Sequence, residues 1–180
     1  CGSRWEGTAN LRRGLPQWAV SLALEHRGKI VSAVVFDPVK GELFYAEKGA
    51  GAWINANRRL RVSGRRRMTE ALFATGVPFG AKRTLPATMQ DLARLMPACA
   101  GVRRMGAASL DLAYVAAGRY DGYWERELQI WDIAAGVLIA QEAGALLEGL
   151  RVGQNPLVDG ALICANNDIF ASFSKILREE

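Results

Sequence analysis

Short apolar runs separated by turn chemistry fill the first part of the chain. Trp18 to Glu25 predicts a strand, and Arg27-Gly28 turns the chain into a second, Val-rich apolar run from Lys29 to Phe36. Asp37-Pro38-Val39-Lys40-Gly41 is a turn, because proline presets one dihedral and glycine relieves another. Glu42 to Glu47 reads as a third strand. Gly49-Ala50-Gly51 then turns into Trp53-Ile54, and an Asn55-Ala56-Asn57 turn leads to Leu60 to Val62. Four or five short strands joined by short turns predict an antiparallel meander. Gly49-Ala50-Gly51 is not a dinucleotide loop, since no helix follows it.

After the arginines at 65–67 the period changes. Leu72 to Thr75 reads as a strand. Ala87 to Met96 reads as an amphipathic helix whose apolar face holds Met89, Leu92, Leu95 and Met96, closed by Pro97. Gly101 to Met105 is a short strand. Ser109 can cap a helix running through Leu110, Leu112, Ala113, Val115 and Ala116 to Gly118. Tyr120 to Trp124 is a strand ending at Glu125. A helix follows, then a strand near Leu146, a polar loop at 153–156, a strand from Ala161 to Ala165 and a helix from Asp168 to Leu177. Strands first segregate and later alternate with helices, which predicts a layered mixed α/β fold. It forms one domain over 1–180, with a meander over about 1–75 and an alternating half over about 76–180.

The stretch from Tyr123 to Gly144 carries the clearest chemistry. Between Ile130 and Gly144 only Asp132, Gln141 and Glu142 are charged or amide-bearing, so this helix belongs inside the protein. Asp132 falls in its first turn, where a carboxylate serves either as a cap or as a ligand aimed out of the helix mouth. Glu125 lies seven residues earlier at a strand end, with Glu127 a rival close by. Two carboxylates so placed can converge on one cleft.

Composition narrows the class. Half of the 180 residues are hydrophobic and 23% are charged, enough for a real core. No apolar run approaches the ~18 residues of a membrane span, and no leader pattern opens the chain, so the expected compartment is cytoplasmic. Cys1, Cys99 and Cys164 lack metal-ligand spacing and read as reduced thiols. The net charge of +5 is uneven: residues 1–90 hold 15 Lys/Arg against 6 Asp/Glu, and residues 91–180 hold 8 against 12. Arg58, Arg59, Arg61 and Arg65 to Arg67 lack interleaved aromatics, so a solvated loop is favoured over nucleic-acid binding. The same field would attract a phosphorylated small molecule. His26, the single histidine, sits at a strand end and reads as a turn residue.

Trp131-Asp132-Ile133-Ala134-Ala135-Gly136, with Leu138-Ile139 and Glu142-Ala143-Gly144 downstream, resembles the C-terminal signature of the inositol monophosphatase family. The resemblance extends through Gly14-Leu15-Pro16, Asp37-Pro38, Glu42-Leu43-Phe44, Gly49-Ala50-Gly51-Ala52, Asp111-Leu112-Ala113 and Gly118-Arg119-Tyr120-Asp121-Gly122. It implies an α-β-α-β-α sandwich, here lacking its N-terminal helices, in a cytoplasmic, magnesium-dependent enzyme that is commonly a homodimer. The implied reaction is hydrolysis of inositol 1-phosphate, with carboxylate-held Mg2+ polarising the ester and activating a water. By resemblance Asp132 is a metal ligand that also meets substrate, Glu125 accepts hydrogen bonds from substrate hydroxyls, and Gly106-Ala107-Ala108 forms a small-residue turn against the polyol.

The resemblance weakens at the front. Where the family reads Asp-Pro-Leu/Ile-Asp-Gly-Thr-x-Asn, this chain reads Ser3-Arg4-Trp5-Glu6-Gly7-Thr8-Ala9-Asn10. Glu6 stands for the second aspartate as metal ligand and catalytic carboxylate. Ser3 removes the first aspartate's charge, and Arg4 and Trp5 oppose ion binding. Gly7 and Thr8 keep the phosphate-facing amides and the water-orienting hydroxyl. The family's Glu-Glu motif is absent from these residues, and Gly149 replaces a frequent aspartate. With Cys rather than Met at position 1, the chain is expected to be an N-terminally incomplete member with one sheet face exposed. Two alternatives stand beside inositol 1-phosphate hydrolysis: another small phosphomonoester as substrate, or a non-catalytic remnant using the basic residues 58–67 on RNA or another acidic partner.

Overall fold

The structure, a computed structural model, describes residues 2–56, 58–78 and 83–178, with 2–4 as backbone only. Ser3 and Arg4, read above as altered front-site positions, therefore have side chains outside the described residues, as does Cys1 entirely.

A first sheet is built by β1 (Gly2–Glu6), β2 (Ala19–His26), β3 (Lys29–Asp37), β4 (Glu42–Glu47), β5 (Gly51–Ile54) and β6 (Arg58–Arg59), joined in sequence order with every pair antiparallel. A short helix, α1 (Thr8–Arg12), links the first two strands. The second sheet takes β7 (Leu72–Thr75), β8 (Gly101–Arg103), β9 (Gly122–Glu125), β10 (Leu146–Gly149) and β11 (Leu162–Ala165) in the order β10-β11-β9-β7-β8. β7 runs parallel to both β8 and β9, while β11 is antiparallel to β9 and β10. The helices are α2 (Leu85–Leu95), α3 (Ala108–Ala116), α4 (Ile130–Glu142), α5 (Pro156–Asp159) and α6 (Phe170–Arg178).

The layers run β-α-β-α. α3 and α4 pack on each other and on the first sheet, and α3 also meets β9 and β11 of the second. α2 and α6 cover that sheet's far side, where Phe73, Leu95, Trp124, Phe173 and Leu177 form a second core. Among the described residues these four layers match the layered sandwich that the resemblance implies. α4 explains the packing: Ile133 to Ala140 are buried without interruption, so the helix is a core element and not an amphipathic cover. The sheet beneath presents Ala19, Ala33, Val35, Phe44, Ala46 and Ala52, mostly small side chains that admit a helix closely. Gly136 makes the α3 crossing possible, because a Cβ there would stand 2.7 Å from Leu112 Cβ.

The outer face of the first sheet is apolar as well. Cross-strand register aligns Val20, Phe36 and Leu43, then Leu22, Val34, Tyr45 and Trp53, on that face. Leu22, Leu24, Phe36 and Leu43 are exposed there, as expected of an uncovered face. An antiparallel sheet with one wet face normally alternates apolar with polar; this one does not.

Several expectations shift. Leu60 to Val62 does not form the sixth strand. The ladder pairs Arg58 and Arg59 with β5, and the chain then leaves the sheet because Leu60 is buried in the core and Val62 N–H donates to Ala143 at the end of α4. β7 already belongs to the second sheet, so the antiparallel run stops at Arg59. Met89 and Met96 are exposed; the buried face of α2 is Thr88, Asp91 and Leu95. Ser109 lies inside α3 and caps nothing with its side chain. α1, α5 and β1 carry no helical or strand pattern strong enough to predict. Among the described residues no helix is long and apolar enough to cross a membrane, and Cys99 and Cys164 are free thiols.

Candidate active site

β1 ends by separating its last two side chains. Trp5 turns to the outer face, where its ring stacks on Trp18 with centroids 5.6 Å apart, although it also reaches the rim of the cleft described below. Glu6 turns inward and is 5% exposed. Gly7 makes the bend that follows, at φ 71°, and a Cβ there would meet the Gln17 carbonyl at 2.6 Å, so only glycine fits. Thr8 then opens α1. The Asn10 side-chain amide donates to the Gln17 carbonyl at 2.8 Å and to the Met105 carbonyl at 2.9 Å, tying this front turn to the loop that enters α3.

That loop brings Gly106, Ala107 and Ala108 to the same place. The Ser109 N–H, in the first turn of α3 where helix donors lack internal partners, donates to Glu6 Oε2 at 2.7 Å. Glu6 Oε1 is buried with no hydrogen-bond partner among the described residues. Burial pushes the Glu6 carboxyl up to about 8, opposed by the Ser109 contact and reinforced by the charges of Asp132 and Glu125.

The third wall comes from β9 and α4. Parallel register sets Thr75 beside Trp124, so Gly76 lies against Glu125, whose carboxylate fills the space a Cβ on residue 76 would need. The Tyr123 hydroxyl donates to Glu125 Oε2. Burial raises the Glu125 carboxyl to about 7, with the Tyr123 bond and Arg104 lowering it and Asp132 raising it. Asp132 is the third residue of α4, and its Oδ2 accepts the Gln129 N–H at 3.2 Å. The carboxylate thus caps the helix and also lines the cleft.

Together Glu6, Gly7, Thr8, Gly106, Ala107, Ala108, Glu125 and Asp132 line one cleft of about 300 Å³. Every residue singled out from the sequence for metal, substrate or catalysis is brought there. Glu127 lines it too, but as an exposed residue at φ 57° on the rim, whereas Glu125 is held inside by Tyr123. His26 is exposed at the end of β2, away from this wall.

Sequence reasoning missed three contributors. Gly76, Val77 and Pro78 form a wall that only the β7–β9 register reveals. Arg104 lines the cleft, and its signal was its place two residues before Gly106. Asp111 lies fully buried in the field of Glu125 and Glu6, with Oδ1 lacking a hydrogen-bond partner among the described residues and its pKa pushed well above the carboxylate range by burial.

A hard divalent cation fits two of these groups. Glu6 and Asp132 offer oxygen donors, and Glu6 Oε1 is a buried oxygen with no hydrogen-bond partner among the described residues. Among the described residues no three His, Cys, Asp or Glu side chains converge into a metal-holding group. Magnesium commonly binds through one or two carboxylates, with water and phosphate oxygens completing its shell, so a pair is enough for that ion.

Comparison with known proteins decides the ancestry. The profile described as "Inositol monophosphatase family" matches residues 6–179. The chain belongs to the inositol monophosphatase family. The inositol-1-monophosphatase of Rhizobium meliloti (strain 1021) is 47% identical over 174 residues, covering 97% of this chain and 64% of that protein. The Nus factor SuhB of Pseudomonas aeruginosa is 46% identical over 167 residues, covering 92% and 61% respectively. Among solved structures, the extragenic suppressor protein SuhB of Bartonella henselae superposes with a TM-score of 0.93 at 43% identity, covering 97% of this chain and 68% of that one. The Anabaena inositol monophosphatase superposes at 0.90 with 34% identity, covering 96% and 70%. The chain thus spans just under two thirds of the length of these sequence relatives, and the family's layered fold is shared over nearly all of it.

Proposed function

We propose that this chain carries the substrate cleft of a magnesium-dependent phosphomonoesterase whose substrate is inositol 1-phosphate, releasing inositol and phosphate. The observation that supports this most is the Glu6 carboxylate, buried with one oxygen unpartnered and in the electrostatic reach of Asp132 and Glu125. A buried carboxylate cluster of this kind is costly unless a cation or protons neutralise it.

When bound, magnesium supplies positive charge that polarises the phosphate ester and lowers the pKa of an attacking water. Glu6 and Asp132 would hold it. The Gly7 and Thr8 amides and the Thr8 hydroxyl, which line the same cleft, would orient phosphate oxygens and the attacking water. Glu125 would accept hydrogen bonds from hydroxyls of the alcohol half, its acceptor oxygens fixed by Tyr123. Gly106, Ala107 and Ala108 leave room for a polyol ring, because larger side chains there would fill the cleft. In the reaction the water oxygen bonds to phosphorus as the ester P–O bond breaks, and the departing alcohol oxygen takes up a proton. The cytoplasmic location and homodimer implied by the family belong to the same reading.

The test is release of phosphate from inositol 1-phosphate with and without magnesium, beside a Ser3→Asp, Glu6→Asp double variant that restores the family's front carboxylates. Magnesium-dependent release that rises in the double variant supports the reading. No release from either protein, at any magnesium concentration, counts against it.

A second reading has its own observation. Several relatives carry the name Nus factor SuhB, and Arg58, Arg59, Arg61, Arg65, Arg66 and Arg67 are all exposed here. Arg65, Arg66 and Arg67 are engaged by Asp121, Asp168 and Glu70, and Arg59 lies over the Trp53 ring, so the patch is partly neutralised. On this reading it contacts RNA or another acidic partner. Salt-sensitive RNA binding without phosphate release would favour it.

A further inference from the structure

A second cavity shares Arg126 and Glu127 with the cleft around Glu6 and is the larger of the two, about 770 Å³ against about 300 Å³. A space of this size suits a small organic molecule. α2 forms one wall along its length, from Thr84 at its cap to Arg94 in its last turn, roughly 15 Å of helix. The segment after β10, with Leu150 and Arg151, forms another, and the end of α6 closes the space with Leu177 and Arg178. The cavity thus belongs to the outer helical layer, at the opposite end of the stack from the uncovered face of the first sheet.

Four arginines line it, Arg94, Arg126, Arg151 and Arg178, against the three acids Asp91, Glu127 and Asp159. Two of the arginines are already used. Arg126 bonds Asp91 through both terminal nitrogens, and Arg178 donates to the Leu150 and Gly149 carbonyls at 2.9 and 2.8 Å and to Glu148 at 2.7 Å. Two of the acids are used as well: Asp91 also accepts the Trp124 indole N–H at 3.1 Å, and Asp159 Oδ2 accepts the Asn155 N–H at 2.7 Å. Glu127 is exposed on the rim shared with the cleft. Arg94 and Arg151 remain. Among the described residues neither guanidinium has a hydrogen bond or an ion pair, although Arg94 is half-buried. The backbone N–H of Arg151 is turned back on Gln154 Oε1 at 2.9 Å, which fixes the start of its loop.

Two guanidiniums on different walls of one cavity repel each other, and the half-buried one has given up part of its water; an anion between them relieves both. Carboxylate and phosphate oxygens match the planar fork of arginine, which offers parallel N–H donors to two oxygens of one group. Gln90 adds an amide one helical turn before Arg94, and Leu150, Ala161 and Leu177 give the space an apolar floor for the carbon skeleton between the anionic groups. We propose that this cavity is a second, non-catalytic binding site for a small organic polyanion, one bearing at least two carboxylate or phosphate groups, held by Arg94 and Arg151. The site does not depend on what the cleft around Glu6 hydrolyses.

Titration calorimetry of the 180-residue chain tests this with citrate and with propane-1,3-diphosphonate, whose P–C bonds resist hydrolysis. Chelator replaces magnesium throughout, so that the carboxylates of the cleft around Glu6 repel both probes. Saturable one-site binding of at least one probe is expected, and the probe that binds more tightly names the anionic group recognised. An Arg94→Ala, Arg151→Ala double variant should weaken binding by roughly 10- to 100-fold, the loss of charge-assisted hydrogen bonds. Arg94→Lys, Arg151→Lys keeps the charge without the forks and should recover only part of that loss. Arg58→Ala, Arg61→Ala removes the same charge from an exposed stretch elsewhere and should change affinity by less than about 2-fold. Melting curves of the Arg94 and Arg151 variants should match wild type, because neither side chain bonds another described residue. Failure of both probes to saturate overturns the proposal. Equal weakening in the two alanine double variants also overturns it, as general attraction to a basic chain, and so does binding that neither variant weakens, which places the probe elsewhere.

Discussion

The Glu6 carboxylate accepts the Ser109 N–H at 2.7 Å, joining the end of β1 to the first turn of α3 across 103 positions of sequence. The contact satisfies a helix donor that has no partner of its own, and it holds the carboxylate where Asp132 and Glu125 also point. In the metal-free protein this arrangement has a pH signature. Burial raises Glu6 to about 8 and Glu125 to about 7, so the folded chain keeps protons that the unfolded chain has already released. Stability is then full below the ordinary carboxylate range and falls as pH climbs toward those raised values, by at most roughly 1.4 kcal/mol per pH unit for each group. Thermal melts in chelator should show Tm dropping between about pH 5 and pH 8, with a shallower drop in Glu6→Gln.

Magnesium should reverse that slope. An ion that binds the folded chain alone stabilises it in proportion to the logarithm of its excess over Kd, and it competes with the proton for Glu6. The wild-type Tm at about pH 8 should therefore rise with millimolar magnesium. Asp132→Asn should lose the rise while keeping its helix, because an amide oxygen can still accept the Gln129 N–H that Asp132 accepts now. A rise of equal size in wild type and Asp132→Asn would remove that residue from the metal site.

Gly76 and Glu125 offer a cleaner separation of site from scaffold. The Glu125 carboxylate occupies the space beside Gly76 that a Cβ would take, and the φ of Gly76 lies outside the region reserved for glycine. Gly76→Ala should thus leave the backbone undisturbed and push Glu125 off its Tyr123 bond. The expected outcome is a loss of affinity for inositol 1-phosphate of about 10-fold or more, with Tm lowered by only a few degrees. Calorimetric titration and a melting curve on the same sample check both halves.

The outer face of the first sheet predicts behaviour in solution. Leu24 is 48% exposed, and Leu22, Phe36 and Leu43 are each 37% exposed on adjoining strands, a contiguous apolar surface of the kind that drives association. The 180-residue chain by itself should bind hydrophobic dyes and associate with rising concentration. A Leu24→Lys, Phe36→Ser, Leu43→Lys triple variant should reduce both without lowering Tm, because none of the three side chains belongs to the buried core. Light scattering across a concentration series distinguishes a monodisperse monomer, which would contradict this, from growing assemblies.

The sequence foretold the inner helix and much of the site, for physical reasons. α4 announces itself because thirteen residues with one early acid have no other place to go, and β2 to β4 announce themselves through apolar runs cut by turn residues. Non-local pairing was hidden. That Gly76 faces Glu125 follows from parallel register between positions 49 residues apart, and that the Ser109 N–H feeds Glu6 follows from how β1 docks. Neither leaves a periodic trace. Met89 and Met96 misled for the opposite reason: helical spacing marks a face as apolar without saying that the face is covered, and α2 buries Thr88 and Asp91 instead.

Asp91 shows what that burial is for. It is 2% exposed on α2, and its carboxylate receives the Arg126 guanidinium and the Trp124 indole N–H. It thereby pins the loop between Glu125 and Asp132 to the outer helical layer. Removing the acid alone strands a buried arginine and an indole donor, and breaking a buried pair this way typically costs about 3–5 kcal/mol. Replacing both partners together with apolar residues of similar volume costs far less, because no charge is left behind. Asp91→Ala should therefore lower Tm sharply, and an Asp91→Leu, Arg126→Met double variant should recover most of the loss. If the pair also orients Glu125 and Asp132, the double variant will melt like wild type yet bind inositol 1-phosphate more weakly. Recovery of both stability and affinity would confine the pair to a structural part.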